Sequence, residues 1–153
     1  ADRFKDFLDK ELLPHLEAQY KIDTGNIILA GHSLGGYFTL YYFLRSAQQN
    51  RFAINNFISA SPSLFYNNNY LFRMEDSIAA KQKNIRAKLY ISMGSRDMED
   101  TSVKNILGAF AAQVNKHHYT GLRLRAEEYS NFGHIDAALP GFSKGLAFIF
   151  AKQ

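Results

Sequence analysis

The hexapeptide Gly31-His32-Ser33-Leu34-Gly35-Gly36 stands between the apolar run Ile27-Ile28-Leu29-Ala30 and a long apolar stretch with helical character. It narrows the folds open to this chain more than any other feature. A Gly-x-Ser-x-Gly placed between a strand and a helix marks a sharp turn that lifts the serine hydroxyl clear of a sheet. Such a turn pushes the serine into a strained backbone conformation. It also brings the residues two before and two after the serine too close together for side chains, and Gly31 and Gly35 supply the room. The helix that follows aims the positive end of its dipole at the serine, leaving the Leu34 N–H free to bind a developing oxyanion.

Around this turn, helical and strand patterns alternate. Phe4, Phe7, Leu8, Leu12 and Leu16 recur at helical spacing, with Pro14 kinking that helix or starting a second piece. Asp23-Thr24-Gly25 is a turn. Strands are expected at about 26–30, 56–60, 87–93 and 122–128. The helix after the serine runs over about 34–47 and is apolar nearly all round, as buried helices are. A weaker amphipathic helix near 70–83 is carried by Leu71, Met74 and Ile78. The clearest one is marked by Val103, Ile106, Leu107, Phe110 and Val114. In the last strand, Leu122, Leu124 and Ala126 alternate with Arg123, Arg125 and Glu127, which suits an edge strand with one solvated face. Pro140 opens a final helix expected to bury Phe142, Leu146, Ile149 and Phe150. Helices between successive strands argue for right-handed crossovers. The expected fold is therefore α/β, a parallel sheet of about four strands flanked by about five helices, with residues 1–153 forming one domain.

Composition removes several classes of function. Of 153 residues, 46% are hydrophobic and 21% charged, as in a soluble globular domain and unlike a disordered chain. The run 37–44 is the longest apolar candidate and far too short to span a membrane. With no cysteine, this chain has no disulfide, thiolate zinc site or cysteine nucleophile. Cysteine usage therefore leaves the compartment, cytoplasmic or periplasmic, undetermined. The net charge of +4 comes from dispersed basic residues with no basic stripe, which argues against a nucleic-acid partner. There is no His-Glu-x-x-His pattern and no Gly-rich phosphate loop, so neither a metal nor a cofactor is expected.

In open parallel sheets, ligands bind beyond the carboxyl ends of the strands. Ser33 lies past the first such end, an acidic loop around Asp97 past the third, and His134 past the fourth. A serine is a poor nucleophile at neutral pH and needs a base; imidazole, with a pKa near ~6.5, suits the task. His134 sits in the loop Asn131-Phe132-Gly133-His134. The other histidines read otherwise: His15 as partly buried packing, His117 and His118 as partners of a helix C-terminus, and His32, beside the nucleophile, as a packing or hydrogen-bonding residue at the edge of its pocket. Ser61, Phe65 and Tyr66, beyond the second strand, are placed to line a substrate pocket. Asp100, before Thr101, reads as a helix cap.

These residues resemble the α/β-hydrolase superfamily and, within it, the esterase group that includes esterase D and the enterochelin (siderophore) esterases. Phe7-Leu8, Glu11-Leu12-Leu13-Pro14 and Tyr20 resemble the helix that precedes the serine turn in that group. Ser61-Pro62-Ser63 is similar to its loop after the next strand, and Gly133-His134 with Lys144-Gly145-Leu146 to its terminal histidine and last helix. The resemblance implies an ester hydrolase with a small-molecule substrate: Ser33 as nucleophile, His134 as base, and Asp97 as orienting acid, since Gly94-Ser95-Arg96-Asp97 matches the superfamily's habit. Glu99 is the alternative acid. An acyltransferase or peptidase of the same fold is a rival reading, and so is a non-catalytic binding module. In that superfamily several strands precede the serine turn, whereas here about 25 residues do. The chain therefore resembles a C-terminal half, and the strand at residues 26–30 is expected to leave an apolar edge open to a homodimer or another strand.

Overall fold

A computed structural model of the chain describes residues 1–97 and 105–151. Its four strands, β1 (Ile28–His32), β2 (Asn56–Ala60), β3 (Asn84–Gly94) and β4 (Thr120–Tyr129), form one parallel sheet in the order β1-β2-β3-β4. The first strand begins two residues later than its apolar run suggested. Thr24–Asn26 coil into a 3-10 turn because the Asp23 carboxylate accepts from Gly25 N–H and Asn26 Nδ2. The connections are α3 (Leu34–Gln49), α4 (Tyr66–Ala79) and α5 (Ile106–Lys116). Three right-handed crossovers stepping in one direction put these helices on one face. The larger core lies there, built around Tyr42, Phe43, Phe57, Leu71, Leu89, Ile91 and Phe110. The opposite face carries Ile58 and Tyr90 with Phe148 and Ile149 of the last helix, α6 (Ala138–Phe150). Period-two alternation along β2 and β3 feeds both cores, which is why β2 is buried at every position.

Of the residues its apolar stripe suggested, α6 fully buries Ile149 alone. Phe142 is half-buried, while Leu146 and Phe150 are exposed. Small residues set its seat. A Cβ at Gly141 would stand 2.6 Å from Ser92 Oγ, and one at Gly145 2.6 Å from Ile58 Cγ2. Close approach on that side turns Leu139, Leu146 and Phe150 outward. Tyr129 Oη donates to Pro140 O at 3.3 Å, and Lys88 Nζ to Ile149 O at 2.5 Å, so both ends of the helix are tied to the sheet.

The N-terminal segment also presents a different face. α1 (Asp2–Phe7) and α2 (Leu13–Gln19) flank one π-turn at Leu8–Leu12. Pro14 has no N–H to give, and Leu13 N–H reaches back to Leu8 O, so the ladder slips by one residue. Phe4 and Phe7 are left exposed, as is His15, and Lys5, Leu8 and Leu13 face inward. Lys5 is buried because its ammonium pairs with Asp9 at 2.5 Å and lies 4.5 Å from the Tyr42 ring centroid. α4 starts and ends about four residues before its expected limits, with Asn67, Asn68 and Asn69 in left-handed conformation near its start. α5 is capped by Asn105, whose side chain accepts from Gly108 N–H. Glu99, Asp100 and Val103 lie outside the described residues. Among the described residues, no helix is long and apolar enough to cross a membrane.

Four tyrosines are held phenolic by burial and by acceptors that cannot take a second negative charge. The pKa of each of Tyr41, Tyr42, Tyr90 and Tyr119 is raised, by desolvation first and then by bonding to Asp2, Asp9, Tyr129 with Glu127, and Glu75 respectively. An unfolded tyrosine ionises near pH ~10, so this stabilisation is complete below that value and lost as pH rises above it toward the folded pKa values. In an alkaline titration followed by tyrosinate absorbance and circular dichroism, these four of the nine tyrosines should ionise only as the fold is lost. Smooth ionisation of all nine with the dichroism intact would refute this.

Candidate active site

At the end of β1 the backbone reverses at Ser33, with φ 59° and ψ −121°, and α3 begins at the next residue. This is the strain the glycine spacing predicts, but only Gly31 of the expected pair lacks room, since a Cβ on Gly35 would meet nothing within 4 Å. A Cβ on Gly31 would overlap the Gly35 carbonyl, and one on Gly36 would stand 2.9 Å from Ala60 O. Three backbone bonds hold the turn: Ser33 N–H to Ala60 O at 3.1 Å, Tyr37 N–H to Ser33 O at 2.9 Å, and Ser63 N–H to Ser33 O at 3.3 Å. The Leu34 side chain is exposed, and its N–H belongs to the first helical turn, where no intrahelical carbonyl serves it. The positive end of α3 thus lies beside the serine.

His134 occupies the loop between β4 and α6. Its Nδ1 is 2.5 Å from Asp97 Oδ1, with the Asp97 side chain 7% exposed and the imidazole 40% exposed. A carboxylate accepts, so Nδ1 carries the hydrogen and Nε2 presents its lone pair. The loops bearing these two residues are themselves laced together. Ser95 N–H donates to Tyr129 O at 2.9 Å, Arg96 N–H to Phe132 O at 3.0 Å, and Asn131 N–H to Ser95 Oγ at 2.9 Å. Gly94 is needed here, because a Cβ would overlap the Phe132 carbonyl. On the other side, His32 Nε2 is 2.8 Å from the His134 carbonyl oxygen, and the two rings are 4.6 Å apart between centroids.

The register explains the gathering. His32 is level with Ala60, and Ala60 with Ser92, so the loops that follow β1, β2 and β3 leave the sheet at one end. Ser33, Asp97, His134 and His32 collect there. Among the described residues the imidazole hydrogen-bonds Asp97 and not Ser33 Oγ, while the His134 backbone carbonyl accepts from His32. Ser61 is buried with φ 42°, its N–H donating to Ser92 O at 2.7 Å. Phe65 and Tyr66 are exposed, and Tyr66 packs edge-on against Tyr37 at 5.1 Å.

With a strained serine at a helix N-terminus and an imidazole oriented by a buried carboxylate, the site has the parts for acyl transfer. Comparison with known proteins agrees. Residues 1–143 match the family described as Putative esterase. The chain belongs to this esterase family. It is 26% identical over 152 residues to the ferri-bacillibactin esterase BesA of Bacillus subtilis, a match covering 97% of this chain and 51% of that protein. The BES protein from Bacillus cereus superposes with a TM-score of 0.75 at 25% identity, covering 99% of this chain and 55% of that one. An IroE-like serine hydrolase from Shewanella oneidensis superposes with a TM-score of 0.79 at 23% identity, covering 99% and 49%. The chain thus spans about half the length of these relatives.

Two arrangements carry no local signal in the sequence. One is the contact of His32 with the His134 backbone, which depends on the approach of β1 to a loop 102 residues away. The other is the group of Glu75, Asp76 and His117, whose ligand-type atoms lie within 4.8 Å of one another. Glu75 is fully buried and accepts from Gln113 Nε2, His117 Nδ1 and Tyr119 Oη, so the group ties α4 to α5 and β4.

The turn at Ser33 sets the whole site, and Gly31 is its narrowest point. Gly31→Ala should destabilise the fold by about 2–4 kcal/mol, since the overlap is with backbone that cannot step aside. Urea unfolding measures this, and a loss under ~0.5 kcal/mol would show that the turn has slack.

Proposed function

We propose that this chain carries the catalytic centre of a serine hydrolase acting on carboxylic esters. The observation that supports it most is the 2.5 Å contact of His134 Nδ1 with buried Asp97, beside a serine held at φ 59°. Ser33 Oγ attacks the ester carbonyl and gives its proton to His134 Nε2. The tetrahedral oxyanion is received by the Leu34 N–H. His134 then passes the proton to the departing alcohol, leaving Ser33 acylated. Water attacks the acyl-enzyme with His134 again as base, and the carboxylic acid leaves. Asp97 holds the imidazole in the required tautomer throughout. His32, Ser61, Phe65 and Tyr66 border the space the acyl or alcohol group would occupy. The resemblance to the siderophore esterases and the name of BesA, a ferri-bacillibactin esterase, make siderophore esters the first class to assay.

A fluorophosphonate should label Ser33 stoichiometrically, and Ser33→Ala should abolish labelling. A folded chain that takes no label favours a non-catalytic binding module. His134→Ala should remove most turnover, and Asp97→Asn should lower kcat by on the order of 10⁴. A larger loss from Glu99→Gln than from Asp97→Asn would move the acid's role to Glu99.

The outer edge of β1 is the second part of this reading. Among the described residues β1 pairs with β2 alone, so its other side offers unpaired N–H and C=O groups flanked by half-buried Ile28 and exposed Ala30. The expected strand pairing at residues 26–30 therefore moves to Ile28–His32, with a second copy or another strand as partner. Light scattering should find association that Ile28→Lys weakens; a monomer at every concentration would exclude pairing between copies.

A further inference from the structure

We propose that His32 is a positioning residue for the base: its Nε2–H fixes the backbone of His134 while Asp97 fixes the ring. The inference rests on the hydrolase reading and adds a role to a residue otherwise placed only at the pocket wall. Its ground is the 2.8 Å contact from His32 Nε2 to the His134 carbonyl oxygen. A carbonyl only accepts, so His32 Nε2 carries the hydrogen.

The loop holding His134 is anchored unevenly. Its first half is bonded to the β3 side through Tyr129, Asn131 and Phe132. Across the gap to β1, the described side chains make one hydrogen bond, that of His32. His32 is also the residue immediately before Ser33. The distance between nucleophile and base is therefore carried through one peptide unit and one hydrogen bond. The rings, 4.6 Å apart and tilted by 46°, leave the imidazole little room to swing toward β1. Asp97 alone would permit the ring to pivot about the Nδ1–Oδ1 axis with its loop. A bond to the residue's own carbonyl removes that freedom. Displacements of about 1 Å between reacting groups cost about 10²-fold in rate, so this anchor should act on kcat.

The test compares His32→Phe, which keeps a ring and loses the donor, with His32→Gln, which keeps an N–H donor of similar reach. Circular dichroism checks folding, and His32→Met replaces the Phe variant if that one does not fold. With p-nitrophenyl acetate, His32→Phe should lower kcat by about 10- to 100-fold with KM within about twofold, and His32→Gln should restore most of it. In parallel, proton NMR reads the downfield His134 Nδ1–H resonance, assigned by its loss in His134→Ala. It should be sharp in the parent and in His32→Gln, and broadened or absent in His32→Phe. Unchanged kcat and resonance in His32→Phe would overturn the proposal. So would a rise in KM alone, which would make His32 a substrate contact. Equal impairment of the Phe and Gln variants would overturn it as well. If the parent chain hydrolyses no ester and takes no fluorophosphonate, the hydrolase reading falls, while the NMR comparison still decides whether His32 anchors the loop.

Discussion

The close approach of two backbones, the end of β1 against the first turn of α3, is the constraint on which the rest depends. No side chain fits between Gly31 and the Gly35 carbonyl, so the two segments meet at backbone distance. A chain that enters as a strand and leaves as a helix in such contact must reverse within one residue, and Ser33 takes the whole strain. A residue in that region costs about 1–3 kcal/mol unless its surroundings hold it. Here they do: Ala60, Tyr37 and Ser63 all bond its peptide groups. Two of those partners flank the end of β2, so the turn is braced by the neighbouring strand. Gly36 makes this possible by lying against Ala60 O and Pro62.

The other face repeats the device for a different purpose. Gly141 and Gly145 let α6 sink onto Ser92, Ala60 and Ile58, and this depth places the loop that leads into the helix. Bonds from Tyr129 to Pro140 and from Lys88 to Ile149 hold both ends. The His134 loop is consequently suspended between the fixed end of β4 and a fixed helix. Serine and histidine reach the same rim from opposite faces of the sheet, each presented by a helix seated through glycine. Their relation is set by rigid elements, with loops contributing only the last few residues.

Much of this could be read from the residues because the signals are local. The strand–turn–helix around Ser33, the alternation of strands and helices and the charged edge of β4 follow from spacing within about ten residues. The inward face of α6 could not be read that way. Its stripe correctly included Ile149, yet the sheet takes Gly141, Gly145 and Phe148 in place of Leu146 and Phe150, and only the facing surface decides that. Lys5 is a similar case. A lysine reads as solvent-facing until Asp9 and the Tyr42 ring stand opposite it. Pro14 announced a break, but whether it ended the helix or slipped it into a π-turn depended on the packing of Leu8 and Leu13. Among the acids of the loop after β3, sequence favoured Asp97 over Glu99 by its distance from Gly94 alone. Asp97 is the one paired with His134 among the described residues.

That pairing joins a structural need to a chemical one. A carboxylate as buried as Asp97 is costly unless something meets its charge. The hydrogen bond from His134 Nδ1 to Oδ1 meets part of that charge. Meeting it requires the hydrogen to sit on Nδ1, and the same requirement turns the lone pair of Nε2 outward, where the ring is exposed. The contact that meets the charge of Asp97 thus also leaves Nε2 free for the role proposed for it. In the proposed proton transfer, the ring would remain at hydrogen-bond distance from the buried carboxylate. The orientation of the imidazole and the accommodation of the buried carboxylate therefore rest on the same contact.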